Sequence, residues 1–149
     1  MDYRMADQND IELFVKNRIQ FITSIRNVDD IADFENKTRQ YLYAHIDKDD
    51  LIIFLAMENG DIAASCMACL YETVPLPNCL SGKMAEVLNV YTQAEYRRKG
   101  HAKTLLNLLI QEAKKRGIEI ILLNYTDDGF SLYSQLGFTL LEHQMLLKL

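Results

Sequence analysis

Apolar residues recur at the spacing of an α-helix in two stretches near the start of the chain. A first helix is predicted from Asp10, because the apolar residues that follow it lie on one face. Asp29 and Asp30 are typical of a helix start and predict a second helix. The apolar positions are Ile11, Val15, Ile19, Ile22 and Ile25 in the first helix, and Ile31, Phe34, Tyr41 and Leu42 in the second. A short strand is predicted at residues 3–5.

The middle of the chain changes to a pattern that is typical of β-structure. Residues 51–71 predict two strands, and the Asn59-Gly60 pair between them is a strong signal for a tight hairpin turn. Residues 72–83 contain both prolines and therefore predict a loop. Residues 84–92 form a further apolar strand.

The last third predicts a strand–helix–strand unit with parallel strands. A strongly amphipathic helix begins at Gly100 and ends at Gly117, and a short apolar strand follows at residues 118–125. Such a crossover within about 40 residues is expected to be right-handed and to join parallel strands. A short helix ending at Gly137 is predicted next, and then a final hairpin or strand pair over residues 139–149.

Composition and charge narrow the class of protein. The chain has 149 residues, a net charge of −5 and 49% apolar residues, which fits one domain, residues 1–149. An acidic domain is not expected to bind nucleic acid. No apolar run reaches the ~18 residues of a membrane span, and the acidic N-terminus is unlike a signal peptide. We therefore expect a cytoplasmic protein with no membrane partner.

The three cysteines do not predict a metal or redox site. Cys66 and Cys69 form a CxxC pattern, but they lie on a predicted strand, where residues three apart face opposite sides. The histidines are scattered without ligand spacing, so no metal is expected. The odd number of cysteines is typical of reduced intracellular thiols.

A basic cluster stands at the start of the amphipathic helix. Arg97, Arg98 and Lys99 precede Gly100, although a helix N-terminus already carries partial positive charge and unpaired N–H groups. An external anion would complete such a site, with the N–H groups from Arg98 to Lys103 around a phosphate. The alternative is a solvated basic turn. Neither a Walker P-loop nor a GxGxxG dinucleotide motif occurs.

These residues resemble the signature of the GNAT superfamily, the acetyl-CoA-dependent N-acetyltransferases. Residues 97–102 match the pattern [QR]xxGx[GA], and residues 132–138 match the LYxxxGF element. The strand before them, residues 84–92, resembles the family's fourth strand. The three elements occur in the right order over about residues 84–140, whereas the first half matches only in its order of elements.

The resemblance implies a mixed α+β fold. We expect a six- to seven-stranded mixed sheet with helices on both faces and a splayed pair of parallel strands. It also implies acetyl-CoA as the acetyl donor, with its pyrophosphate on the helix N-terminus, its pantetheine arm in the splay, and the Val90 N–H as an oxyanion donor. The cofactor-binding residues implied are Val90, Tyr91, Thr92, Arg97, Arg98, Lys99, Gly100, His101, Ala102, Lys103 and Asn124.

Two residues are candidates for the chemistry of acetyl transfer. By its position relative to Arg97, Glu86 resembles the glutamate that some members use as a general base, often through water. Its alternatives are a solvent-facing residue or an ion pair. Tyr133 corresponds to the tyrosine of LYxxxGF and is the candidate acid for the leaving thiolate, or else a packed aromatic. Asn124 either contacts the pantetheine arm or caps its strand.

The loop before the LYxxxGF element departs from the family. Many members carry NxxA there, whereas this chain has Thr126 and Gly129 at those positions. Asp127 and Asp128 either contact a cationic acceptor or cap the following helix. Tyr41 and Tyr43 either line an acceptor pocket or pack at the edge of the core.

The resulting hypothesis is an N-acetyltransferase that transfers the acetyl group directly to an amine through a ternary complex. The amine belongs to a small molecule, a peptide or a protein, and the resemblance is compatible with a homodimer, since many members of the family form dimers. Two alternatives remain. One is a non-catalytic acyl-CoA-binding sensor or interaction module, and the other is a binder of a different phosphate ligand.

Overall fold

A computed structural model describes all residues of the chain, 1–149. The chain forms five strands and four α-helices, with short 3-10 turns at Gln8–Asp10 and Ala94–Tyr96. In chain order the elements are β1 (Asp2–Met5), α1 (Ile11–Ile25), α2 (Ile31–His45), β2 (Leu51–Glu58), β3 (Asp61–Glu72), β4 (Lys83–Thr92), α3 (His101–Lys115), β5 (Ile120–Leu123) and α4 (Asp127–Gln135). None of these helices is long and apolar enough to cross a membrane.

The strands form one mixed sheet in the order β1-β2-β3-β4-β5. Neighbouring strands are antiparallel except for β4 and β5, which are parallel and are joined by α3. The predicted hairpin between β2 and β3 is confirmed, with Asn59 and Gly60 both at positive φ, 51° and 83°. These angles are those of a tight turn in which the Asn-Gly pair is favoured.

The helices pack on both faces of the sheet, as predicted. Helices α1 and α2 cover one face around a buried cluster that includes Phe14, Leu42 and Met67. Helix α3 covers the other face with the apolar stripe that the sequence predicts, and the short α4 packs beside it. The buried stripe of α3 is Leu105, Leu106, Leu109 and Ala113. We refer below to the α1/α2 face and the α3 face.

The expected number of strands is wrong: the sheet has five, not six or seven. No strand follows α4, and residues 139–149 lie outside the helices and strands. A hairpin needs a tight turn, but this segment contains no Gly, Pro, Asn or Asp to form one. Its apolar side chains are largely exposed, among them Leu146 and Leu149. β5 is also shorter than predicted, because pairing ends at Leu123.

β4 contains a bulge that changes its course halfway along. Ala68 of β3 pairs with Val87, whereas the preceding Met67 pairs with Asn89, so Leu88 is an extra residue. A bulge of this kind bends the strand and increases its twist. β4 leaves its parallel neighbour at this point, since the last pair between them is Val87 with Leu123. The predicted splay is therefore present.

Candidate functional site

The second half of β4 has a partner on one side only. It remains paired with β3 as far as Thr92, which lies opposite Ala64, but it has no partner on the β5 side after Val87. The predicted residues Val90, Tyr91 and Thr92 all belong to this segment. We call residues 88–92 the open edge of β4. Hydrogen-bonding groups on such an edge are available to a ligand that lies in an extended conformation.

The N-terminus of α3 presents a row of unpaired backbone N–H groups. Those of residues Arg98 to Lys103 have no acceptor within the protein, and the first helical bond runs from the Thr104 N–H to the Gly100 carbonyl. Gly100 is the N-cap with φ 83°, and no side chain caps the helix. Arg98 is also left-handed, with φ 60°. The loop therefore exposes donors that a helix ordinarily satisfies with a capping residue.

The basic side chains of this loop have no acidic partners. The Arg97 Nε donates to the Thr92 carbonyl at 3.1 Å, which fixes the loop against the end of β4. The Lys99 ammonium lies 5.3 Å from the centroid of the Tyr96 ring. Arg98 is exposed, and no carboxylate lies within ion-pair distance of any of these cations. Positive charge and unpaired N–H groups thus coincide at one end of α3, which favours an anionic ligand.

His101 contributes its backbone to this loop, while its ring is used elsewhere. The ring is only 8% exposed, and its Nδ1 lies 2.6 Å from the Tyr3 hydroxyl. The Nε2 atom is buried without a partner. The ring therefore joins β1 to α3 inside the protein, while Ala102 and Lys103 follow in the exposed first turn.

A cleft of about 690 Å³ lies along β5 and brings three predicted residues together: Glu86, Asn124 and Tyr133. Its other walls come from β5, α4 and the C-terminal segment. Val90 and the α3 loop do not line this cleft, so the predicted site consists of two groups of residues. The groups meet through the core on the α3 face, where Val90 and Tyr133 pack against the same buried cluster.

Glu86 lies on the α1/α2 face of β4, opposite Cys69 of β3. It is half-buried, and no cation or hydrogen-bond donor in the protein engages its carboxylate. The ion-pair alternative for Glu86 is therefore not observed. A carboxylate at the wall of a cleft without a protein partner is free to accept a proton or a hydrogen bond from a ligand.

Tyr133 enters the cleft from α4, and its hydroxyl has no hydrogen-bond partner in the protein. Burial raises the pKa of this phenol above its ordinary value, so it keeps its proton through the neutral range. The ring lies against Gly129, where a Cβ would come within 2.7 Å of the Tyr133 Cε2. A side chain at position 129 would therefore require the Tyr133 ring to move.

The other candidates near the site have more ordinary environments. The Tyr41 hydroxyl lies 3.4 Å from the Cys69 sulfur, on the same face as Glu86, whereas the Tyr43 hydroxyl contacts Glu12 on the outer side of α1. α4 begins at Asp127, with Thr126 as its N-cap. Asp127 and Asp128 therefore lie in the first turn, where carboxylates are favoured by the helix dipole. They do not cap the helix with their side chains.

Sequence reasoning missed a chain of buried polar side chains beside the open edge. The Asn89 amide donates to the Ser65 hydroxyl at 2.9 Å, and that hydroxyl donates to the Asn17 side-chain oxygen at 2.6 Å. At the other end, the Arg18 Nη1 donates to the Asn89 side-chain oxygen at 3.3 Å and to the Leu88 carbonyl at 2.9 Å. The chain joins α1 to β3 and β4. The sequence feature that could have indicated this polar chain is Asn89, a polar residue in an otherwise apolar strand.

The cysteines are placed as the strand pattern predicts. Cys66 is fully buried in the cluster on the α3 face, whereas Cys69 packs against the cluster on the opposite face. All three cysteines, including the buried Cys79, have free thiols. Burial raises the pKa of the Cys66 thiol to about 12 and also raises that of Cys69. These thiols are protonated at neutral pH and are poor nucleophiles.

Comparison with known proteins agrees with this geometry. The sequence model of the Acetyltransferase (GNAT) family matches residues 19–138. A predicted acetyltransferase with acetyl-CoA from Clostridium acetobutylicum has a similar structure, with 27% identity, 99% of this chain and 95% of that chain covered, and a TM-score of 0.90. A GCN5-related N-acetyltransferase from Ralstonia eutropha JMP134 is 23% identical, with 99% and 97% covered and a TM-score of 0.86.

A more distant structure has the same fold. Glucosamine-6-phosphate N-acetyltransferase from Arabidopsis thaliana is 20% identical, with 99% of each chain covered and a TM-score of 0.74. Among curated proteins, no sequence matches the chain significantly.

We expect Cys66 to resist alkylation in the folded protein. At pH 8 a thiol of pKa about 12 is ionised to only about 1 part in 10⁴, against about a quarter for a free cysteine of pKa ~8.5. Alkylation by iodoacetamide, followed by peptide mass spectrometry, should show Cys66 modified at least about 10³-fold more slowly in buffer than in 8 M urea. Equal rates in the two solvents would contradict the burial of this thiol.

Proposed function

The chain belongs to the acetyltransferase (GNAT) family, and from that premise we propose that it transfers the acetyl group of acetyl-CoA directly to an amine. The observation that carries this proposal is the open edge of β4 next to the unpaired N–H groups of residues Arg98 to Lys103. A ligand that combines a diphosphate with a long amide-containing arm matches both features. Acetyl-CoA is such a ligand, and it is the molecule bound in the similar structure from Clostridium acetobutylicum.

We assign the pyrophosphate of acetyl-CoA to the α3 N-terminus. The backbone N–H groups there would donate to the phosphate oxygens, and the helix dipole favours the negative charge. Arg98, Lys99 and Lys103 would add charge without first breaking an ion pair, because they have no acidic partner. Gly100 allows a phosphate to approach the backbone closely, because the glycine has no side chain and no protein atom lies within 4 Å of the position that a Cβ would take.

We assign the pantetheine arm to the open edge of β4. Its amide groups would pair with the backbone of Val90 to Thr92 in the manner of a missing strand. The Val90 N–H would then stabilise the negative charge that develops on the thioester carbonyl oxygen. Asn124, at the end of β5, would contact the arm from the other side of the splay.

The remaining chemistry requires a neutral amine and a stabilised leaving group. Glu86 would accept a proton from the acceptor ammonium, directly or through water, so that the nitrogen lone pair can attack. Tyr133 would donate a hydrogen bond to the departing thiolate. Full proton transfer from a phenol of raised pKa to a thiolate of about 8.5 is uphill, so hydrogen bonding is the larger part of its role.

A direct reaction is favoured over a covalent acyl-enzyme. The candidate thiol nucleophiles are protonated by burial, and none of the three cysteines lines the cleft that contains Glu86 and Tyr133. A sensor that binds acyl-CoA without turnover remains the second candidate. The free Glu86 carboxylate and free Tyr133 hydroxyl in one cleft favour the enzyme, because a sensor has no use for either.

The test of the enzyme is thiol release from acetyl-CoA across a panel of amines. We expect at least one amine to accelerate release, and we expect Tyr133→Phe to lower kcat by about 10- to 100-fold through loss of the hydrogen bond to sulfur. Calorimetric titration with coenzyme A serves as the control, since the variant should bind it normally. Tight binding of acetyl-CoA with no turnover for any amine would establish the sensor instead.

A substitution at Gly100 tests the placement of the pyrophosphate. Gly100→Glu adds a carboxylate where the phosphates are assigned and should weaken coenzyme A binding by more than about 10-fold in calorimetry. Gly60→Glu is a matched control, because Gly60 has the same φ of 83° and the same open space but lies in the β2–β3 turn. Both variants carry the same backbone strain and the same added charge. Equal affinities of the two variants would refute the assignment.

The general base is tested by the pH dependence of turnover. Glu86→Gln should lower kcat/KM most at low pH, where the amine is almost fully protonated, by about 10²-fold. The loss should shrink as pH rises towards the pKa of the amine, because free amine then becomes abundant. Glu72→Gln, an exposed residue on β3, is the control. A profile of unchanged shape and height in Glu86→Gln would exclude this role.

A further inference from the structure

We propose that Arg18 binds an anionic group of the acceptor, so that the acceptor is an amine carrying a carboxylate or a phosphate. This inference rests on the proposed function, because it names the class of amine. Arg18 lies in the second half of α1 and reaches the bulge of β4, where the open edge begins. The observations that carry the inference are its free donors, its missing counterion and its position relative to Glu86.

The Arg18 guanidinium uses only part of its hydrogen-bonding capacity. One nitrogen, Nη1, donates to the Leu88 carbonyl and to the Asn89 side chain. The Nε and Nη2 groups donate to no atom of the protein. A guanidinium has five N–H donors in a planar fork, which suits two parallel bonds to a carboxylate or phosphate. The contacts to β4 hold Arg18 in place and leave its Nε and Nη2 donors available for a ligand.

Arg18 also lacks a counterion, unlike three other arginines of the protein. Arg4, Arg39 and Arg116 each contact a carboxylate, at 2.7, 2.9 and 3.0 Å respectively. Arg18 is half-buried with no carboxylate in range, and the positive charge of Arg26 repels it. Burial lowers the pKa of the Arg18 guanidinium. A cation held partly out of water without an anion is costly, and a bound anion would offset that cost.

Arg18 and Glu86 lie on the same side of the sheet. Arg18 bonds to Asn89, which lies opposite Met67, and Glu86 lies opposite Cys69, so all are on the α1/α2 face. Because the bulge places Glu86 and Asn89 opposite Cys69 and Met67, which are two residues apart on β3, they are about 7 Å apart along the sheet at ~3.3 Å per residue. The two opposite charges do not pair with each other. One molecule with an ammonium and an anionic group can satisfy both, the ammonium at Glu86 and the anion at Arg18.

A purely structural role is the competing explanation. In that case Arg18 only secures the bulge of β4 through the Leu88 carbonyl, and its free donors face water. The two explanations differ in ligand selectivity. If Arg18 is only structural, its loss weakens the binding of all acceptors equally. If Arg18 binds an anion, its loss weakens the binding of anionic acceptors more than that of neutral ones.

The experiment compares matched pairs of ligands by calorimetry on protein saturated with coenzyme A, so that no turnover is needed. The pairs are N-acetyl amino acids with their carboxamides, and N-acetylglucosamine 6-phosphate with N-acetylglucosamine. We expect the anionic member of at least one pair to bind more than about 10-fold more tightly. The pair that shows this preference distinguishes a carboxylate from a phosphate.

Variants assign the preference to Arg18. Arg18→Gln should abolish it, Arg18→Lys should retain part of it, and Lys16→Gln should leave it intact. Lys16 is a fair control because it is an exposed cation on the same helix without an ion-pair partner. Thermal unfolding of each variant identifies any general loss of structure. In turnover, Arg18→Gln should raise KM for the anionic acceptor by a larger factor than for its neutral counterpart.

Several outcomes would overturn the inference. These are equal binding of both members in every pair, binding of neither member in any pair, and a preference that survives in Arg18→Gln. Each of these outcomes is measured on protein that binds coenzyme A, so none of them contradicts the proposed function. Failure of the wild-type protein to bind coenzyme A in the first titration would instead refute the proposed function.

Discussion

The separation of β4 from β5 after Val87 is the constraint on which the site depends. β4 continues to Thr92 with one edge paired to β3 and the other unpaired, in the interior of the sheet. Unpaired backbone groups in a sheet are costly unless something satisfies them. The extra residue Leu88 turns the strand, and the early end of β5 at Leu123 removes the neighbour that would have closed the gap. The separation leaves residues 88–92 unpaired on one edge, next to the unpaired N–H groups of the α3 loop.

The polar chain from Arg18 through Asn89 and Ser65 to Asn17 explains how the opening is maintained. Buried polar groups cost stability unless they are hydrogen-bonded, and they restrict how the elements around them can pack. Here they tie α1 to β3 and β4 at the residue where the bulge begins. α1 therefore lies along the open edge, and the Phe21 ring packs 5.6 Å from that of Tyr91. The helix that contacts β4 at the bulge therefore also lies beside Tyr91 of the open edge.

The features that could be predicted from the sequence are those that depend on residues close together in the chain. The Asn59-Gly60 turn, the stripe of α3 and the uncapped N-terminus at Gly100 depend on residues within about one or two turns of one another, and all are confirmed. The role of Arg18 depends on a contact to Leu88, 70 residues away, which no local pattern reveals. The C-terminal strands were expected because residues 139–149 are apolar, but apolar character without turn residues does not determine pairing. The family resemblance, not the local pattern, singled out Glu86 and Tyr133.

The distribution of unsatisfied groups argues for a ligand that spans the open edge from end to end. A protein of net charge −5 has enough carboxylates to pair its cations, and most of its packed arginines are paired. Other unpaired cations, such as Lys16 and Arg26, lie on the exposed surface, but two groups of unpaired cations lie beside the open edge. The uncompensated cations of the α3 loop lie at one end of the open edge, Arg18 lies at the other, and the free Glu86 carboxylate is on the same strand. Each kind of unpaired group along this strand, whether an N–H group, a cation or a carboxylate, is unfavourable for the stability of the protein. Their coincidence is accounted for if two substrates meet there, a diphosphate-bearing donor at the α3 end and a charged amine at the Arg18 end.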